Sequence, residues 1–68
     1  MNLNLRNAII SNINDNNEDQ IRETIVDAIT SGEEKMLPGL GVLFELMWKK
    51  CSPEQQEQVI NNIKESLN

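Results

Sequence analysis

The apolar positions of this chain fall into four helically spaced groups, separated by short polar breaks. Leu5, Ala8, Ile9 and Ile13 recur at i, i+3, i+4 and i+8, which predicts a helix over about residues 3–13. Ile10 widens this stripe, while Arg6, Asn7 and Asn12 face outward. The segment is rich in asparagine, a poor helix former, so it needs packing to persist. Ile21, Ile25, Ala28 and Ile29 form the second stripe, over about residues 17–30. Val26 widens it, and Glu23 and Asp27 point to water. In the third group, Leu40, Leu43, Phe44, Met47, Trp48 and Cys51 fall at i, i+3, i+4, i+7, i+8 and i+11, predicting a helix over about 38–51. The fourth, over about 53–66, carries Val59, Ile60, Ile63 and Leu67.

The breaks carry their own signals. In "NINDNNED" the Asn and Asp side chains favour turns, and Asn17 with Gln20 fits a capping box. Glu18 and Asp19 then lie in a first turn, where the helix dipole favours negative charge. "TSGEEK" is ambiguous. Gly32 can close the second helix in the left-handed conformation, and Ser31 with Glu34 fits an S-x-x-E helix start. The favoured reading ends the second helix here and adds a turn through Lys35. Pro38 disfavours a helical Leu37, so a break is expected there. In "CSPEQQEQ", Ser52 as N-cap, Pro53 as first helical residue and Gln55 as capping-box partner make the clearest boundary.

The third segment is unusual because Val42 and Leu46 add a second apolar flank, leaving only Gly41, Glu45 and Lys49 as a polar stripe. Glu45 stands correctly to pair with Lys49. A helix apolar nearly all round either sits at the centre of a bundle or buries a face against another chain. The expected fold is therefore all-α: a compact bundle of about four short helices in one domain, the third central. Met36, Leu40, Leu43, Phe44, Met47 and Trp48 are its candidate core or interaction anchors. Trp48 with Met36 and Met47 reads first as core filling and second as an adaptable contact surface.

Composition narrows the chemistry. A chain of 68 residues buries only ~60% of the surface its unfolded form exposes, and oligomerisation is one common way to gain the missing core. The net charge of −5 and six scattered basic residues argue against nucleic-acid binding, which rests on clustered Lys and Arg. There is no histidine, so the commonest general base and metal ligand are missing, and no serine has a partner to activate it. One cysteine, Cys51, cannot form an internal disulfide or by itself a structural zinc site, and reads as a reduced thiol partly packed in a core. Met1–Ile10 lacks the long apolar run of a signal peptide, and an intracellular compartment is expected.

Gly39 and Gly41 form G-x-G, but Phe44 stands where a dinucleotide fingerprint needs its third glycine, and no G-K-[ST] follows. The glycines read instead as places where another backbone approaches, or as easing the start of the third helix. Glu45 ends the apolar run from Met36 well short of the ~20 residues that span a membrane. Adjacent Glu33 and Glu34 point in different directions and read as a solvated cap. No catalytic, cofactor or metal site is expected.

The stretch "TIVDAITSGEEKMLPGLGVLFELMW", Thr24–Trp48, resembles the signature of the small acid-soluble spore protein I family of spore-forming Bacillus relatives. "LNLRNAIISNI", Leu3–Ile13, is similar to that family's N-terminal segment. The resemblance implies a minor, non-catalytic protein of the spore core, made in the forespore late in sporulation. It supplies no catalytic residues. The chain lacks the glycine-spaced DNA-binding segments of the abundant α/β-type spore proteins, so DNA protection is not carried over. The expected role is protein interaction, with an unknown partner or by self-association through the third helix. The alternative is a weak nucleic-acid-binding helical module.

Overall fold

The computed structural model describes residues 3–68. The Met1 and Asn2 part of the leader reading lies outside them. The fold is all-α. Helix α1 spans Leu3–Ile13, α2 Glu18–Ser31, α3 Leu37–Lys50 and α4 Pro53–Ser66, with a single 3₁₀ turn at Glu34–Met36 before α3. No strand occurs among the described residues.

Local capping sets most of these boundaries. Asn17 has extended backbone, and its side-chain oxygen accepts from the Gln20 N–H at 2.9 Å, while Gln20 Oε1 accepts from the Asn17 N–H at 2.9 Å. Ser52 and Gln55 repeat this box at the start of α4, with Ser52 Oγ accepting at 3.2 Å and Gln55 Oε1 at 2.8 Å. Each box satisfies two backbone donors that a helix start otherwise leaves unpaired. Gly32 closes α2 at φ 65°, ψ 14°, a left-handed position that residues bearing a Cβ rarely adopt. Of the two signals in "TSGEEK", the C-cap operates. Ser31 is the last residue of α2, and its hydroxyl donates to the Ala28 carbonyl at 3.3 Å.

One boundary differs from expectation. The break before α3 falls at Glu33, which is extended, and not at Leu37, which is helical at φ −60°, ψ −42°. The 3₁₀ turn delivers the chain already in the helical region, and the Leu37 N–H bonds the Glu34 carbonyl. Pro38 sits in the first turn, where its missing N–H removes no intrahelical bond.

Helix α3 is central: α1, α2 and the 3₁₀ turn all pack on it. Its deepest residue is Val42, 7% exposed, and the matching position of α2 is Ala28, 5% exposed. Ile9, Ile10 and Ile13 of α1 and Ile21 and Ile25 of α2 are half-buried around them. Glu45 does not rely on Lys49 for its ion pair. Arg6 of α1 holds it bidentately, Nη2 to Oε2 at 2.8 Å and Nε to Oε1 at 3.0 Å, tying α1 to α3. A guanidinium fork matches a carboxylate in a way an ammonium cannot. Within this chain no backbone makes a close approach to Gly39 or Gly41, since a Cβ at either would meet nothing within 4 Å.

The helices leave much surface uncovered. The Cα radius of gyration is 13.1 Å, where a folded chain of this length averages about 11 Å. The accessible surface is 5,860 Å², against about 4,400 Å² for a folded monomer of this mass.

Candidate interaction face

Most of the exposed large apolar residues lie on α3 and in the α4 region, while Leu5 of α1 and Val26 and Ile29 of α2 are exposed as well, Ile29 despite its place in the apolar stripe of α2. A helix turns about 100° per residue, so Val42 and Phe44, two positions apart, point to nearly opposite sides. Val42 points into the bundle. Phe44 is 40% exposed and Met47 42%, and Leu37 near the start of the same stripe is exposed as well. Of the other residues marked out in the sequence, Met36, Leu40, Leu43 and Trp48 are half-buried. The side of α3 through Leu37, Phe44 and Met47 is therefore open, with Leu40, Leu43 and Trp48 half-buried beside it, while Val42 packs inward and Leu46, on the same flank as Val42, is 39% exposed.

Phe44 and Trp48 lie one turn apart and stack, with ring centroids 5.7 Å apart and planes at 22°. Such pairs contribute ~0.5–1.5 kcal/mol beyond area burial, which holds both rings in a defined orientation. Beside them, Ile60 of α4 completes an open apolar groove of about 320 Å³, edged by Glu45 and Lys49. Helix α4 is placed by the turn at Cys51–Ser52 and by Gln56, whose Nε2 donates to the Trp48 carbonyl at 3.1 Å. That bond satisfies one of the carbonyls a helix C-terminus leaves free. The Cys51 N–H bonds the Met47 and Trp48 carbonyls, and its thiol is half-buried.

Ile60, Ile63 and Leu67 extend the apolar surface along α4, all of them exposed. The periodicity of α4 shows this stripe but not that it lacks cover within the chain. The missing signal was quantitative: α1 and α2 both pack on the Val42 side of α3, and on α4 Gln56 and Val59 are half-buried while Ile60 and Ile63 stay exposed.

A second open cleft, about 380 Å³, lies between α1 and α3, lined by Leu5, Ile9, Pro38 and Val42 with Arg6 and Glu45 beside them. The Arg6 guanidinium holds the Glu45 carboxyl below the usual carboxylate range, and Glu45 in turn raises the Arg6 pKa. The pair is exposed and joined to no nucleophile, which suits a structural clasp. Among the described residues no group of acidic, cysteine or histidine side chains is arranged to hold a metal ion. None of the described helices is long and apolar enough to cross a membrane.

Fold and surface together define a small helical bundle that presents an apolar face. The family model for "Small, acid-soluble spore protein I" matches residues 3–67. Its namesake in Halalkalibacterium halodurans is 58% identical over 67 residues, covering 98% of both chains. The Bacillus velezensis protein of that name is 55% identical over 98% of this chain and 94% of its own, and the Bacillus mycoides one 51% over 98% and 97%. The chain belongs to the small, acid-soluble spore protein I family. No solved structure matches it.

Proposed function

We propose that this spore protein is non-catalytic, resides in the spore core and acts by protein contact through the outer face of α3 and α4. The observation that carries the reading is the two-sidedness of α3. Its Val42 side already packs against α1 and α2, while Phe44 and Met47 stay exposed on the other, with half-buried Trp48 stacked on Phe44. Aromatic residues and methionine in a continuous patch are the composition of a protein-contact core, and isolated exposed apolar residues would not have this meaning. The acidic balance supports a protein partner over nucleic acid.

The test is site-specific photocrosslinking in sporulating cells. A photoreactive residue at Met47 should yield a discrete protein adduct, and the same residue at exposed Glu23 on α2 should yield none. No adduct at Met47, or equal adducts at both positions, would overturn the proposal. Binding of duplex DNA at low salt by the purified chain would favour the nucleic-acid alternative.

A further inference from the structure

We infer that the occupant of the α3–α4 face is a second copy of this chain, forming a two-fold dimer. This rests on the contact role proposed above and names its partner. The first argument is area. The chain exposes roughly 1,500 Å² more than a folded monomer of its mass, and a stable dimer buries about 800 Å² on each partner. The excess, summed over the whole chain, exceeds what one such interface needs, and seven of the ten exposed large apolar residues lie on α3 and in the α4 region.

The second argument is shape. A two-fold interface places the same patch on both sides, so the patch must be self-complementary. This one combines a groove with a ridge. The groove of Phe44, Trp48 and Ile60 is open, and the exposed Ile63 and Leu67 run beside it along α4. An apolar ridge from one copy can enter the groove of the other, and the reverse contact forms by symmetry.

The third argument is charge. Glu57 and Lys64 are exposed and stand on one flank of the α4 stripe, two helical turns apart. When two such helices pair in antiparallel fashion, like flanks meet. Glu57 then faces Lys64 of the other copy, and Lys64 faces Glu57. Flanking pairs of this kind select the orientation of helix pairs. Each copy also carries a net charge of −5, so the two repel at long range. Salt screens that repulsion more than it weakens the close contacts, so association should tighten as salt rises.

The experiment is analytical ultracentrifugation of the purified full chain from 1 µM to 1 mM, at about 0.05 and about 0.5 M salt. The wild type should pass from 7.8 kDa to twice that mass, at lower concentration in the higher salt. Trp48 is the only tryptophan, and its emission should shift to the blue over the same range. Met47→Asp and Ile60→Asp should stay at monomer mass with unchanged far-UV circular dichroism. If either loses helicity, the surface variant Glu57→Lys decides the matter. It should dimerise at least tenfold more weakly than Glu23→Lys, which makes the same charge change away from the face, and Lys64→Glu added to it should restore association. A monomer throughout, loosening with salt, or equal behaviour of Glu57→Lys and Glu23→Lys would overturn the inference. A monomer that still yields a Met47 adduct with a different protein would overturn the dimer alone and leave the contact role standing.

Discussion

The orientation of α3 can be tested by placing an aspartate on each side of it. Val42→Asp and Met47→Asp introduce the same residue into one helix; the helix-propensity loss is about 0.5 kcal/mol for methionine and near zero for valine, which ranks with aspartate. They differ in burial. Val42 is 7% exposed, so its replacement forfeits about 2 kcal/mol of apolar burial and confines a carboxylate between α1 and α2. Arg6, the cation nearby, is already held by Glu45, and a carboxylate buried without a partner of its own costs several kcal/mol more, whether it stays charged or takes up a proton. A single core of this size holds about 3–5 kcal/mol, so Val42→Asp should not fold. Met47 is 42% exposed, so it forfeits about 1 kcal/mol of burial, and a further ~0.5 kcal/mol because negative charge near a helix C-terminus opposes the dipole. Its total of about 2 kcal/mol leaves a folded chain. The assay is far-UV circular dichroism with urea titration at about 1 µM, the dilute end of the association series. Val42→Asp should lack a cooperative transition, and Met47→Asp should show a lowered midpoint with native helicity. The reverse result would mean that the long apolar stripe is the core face, and the packing described above would be refuted.

Three further outcomes follow from local geometry. Gly32→Ala should lose about 1 kcal/mol by urea titration because of its positive φ, whereas Gly39→Ala and Gly41→Ala should each gain about 0.5–1 kcal/mol, since they sit in open space within a helix. Ser52→Ala, which removes the cap of α4, should cost about 1 kcal/mol and loosen the amides of its first turn in NMR exchange. For the clasp, the Glu45 carboxyl is lowered in the folded chain, so its stabilisation is complete above the unfolded carboxyl pKa and is lost as pH falls through the folded value. Urea midpoints should therefore drop less steeply with acid in Glu45→Gln than in the wild type, and an equal slope in both would count against the clasp.

The helix boundaries were legible because they are written in neighbouring residues. Asn17 with Gln20, and Ser52 with Pro53 and Gln55, determine their own hydrogen bonds whatever the rest of the chain does. Leu37 was misread because the preference of a residue before proline is weak, and a preceding 3₁₀ turn outweighed it. The facing of α3 was not legible for a different reason. A helix apolar on several sides fits a partner on any of them, and the choice belongs to whichever helices arrive. The Arg6–Glu45 clasp joins residues far apart in sequence, so only the folded arrangement could select Arg6 over the nearer Lys49. The candidate residues were legible as a stripe, but their position as an outer face with α4 beside it depended on how little cover the remaining helices provide.

The capping pattern also sets an order of opening. Helices α2 and α4 each start with a closed capping box, so part of their order is encoded within the segment itself. Helix α1 has no acidic residue in its first turn, no basic residue in its last, and three asparagines along its length. Its order depends on what it touches: half-buried isoleucines against α3 and one ion pair with Glu45. Sub-global opening starts where such support is least local, so the amino-terminal helix should exchange its amide hydrogens first. Its departure would leave α2 as the one helix still covering the Val42 side of α3, so that for a moment the central helix would be apolar and open over most of its circumference.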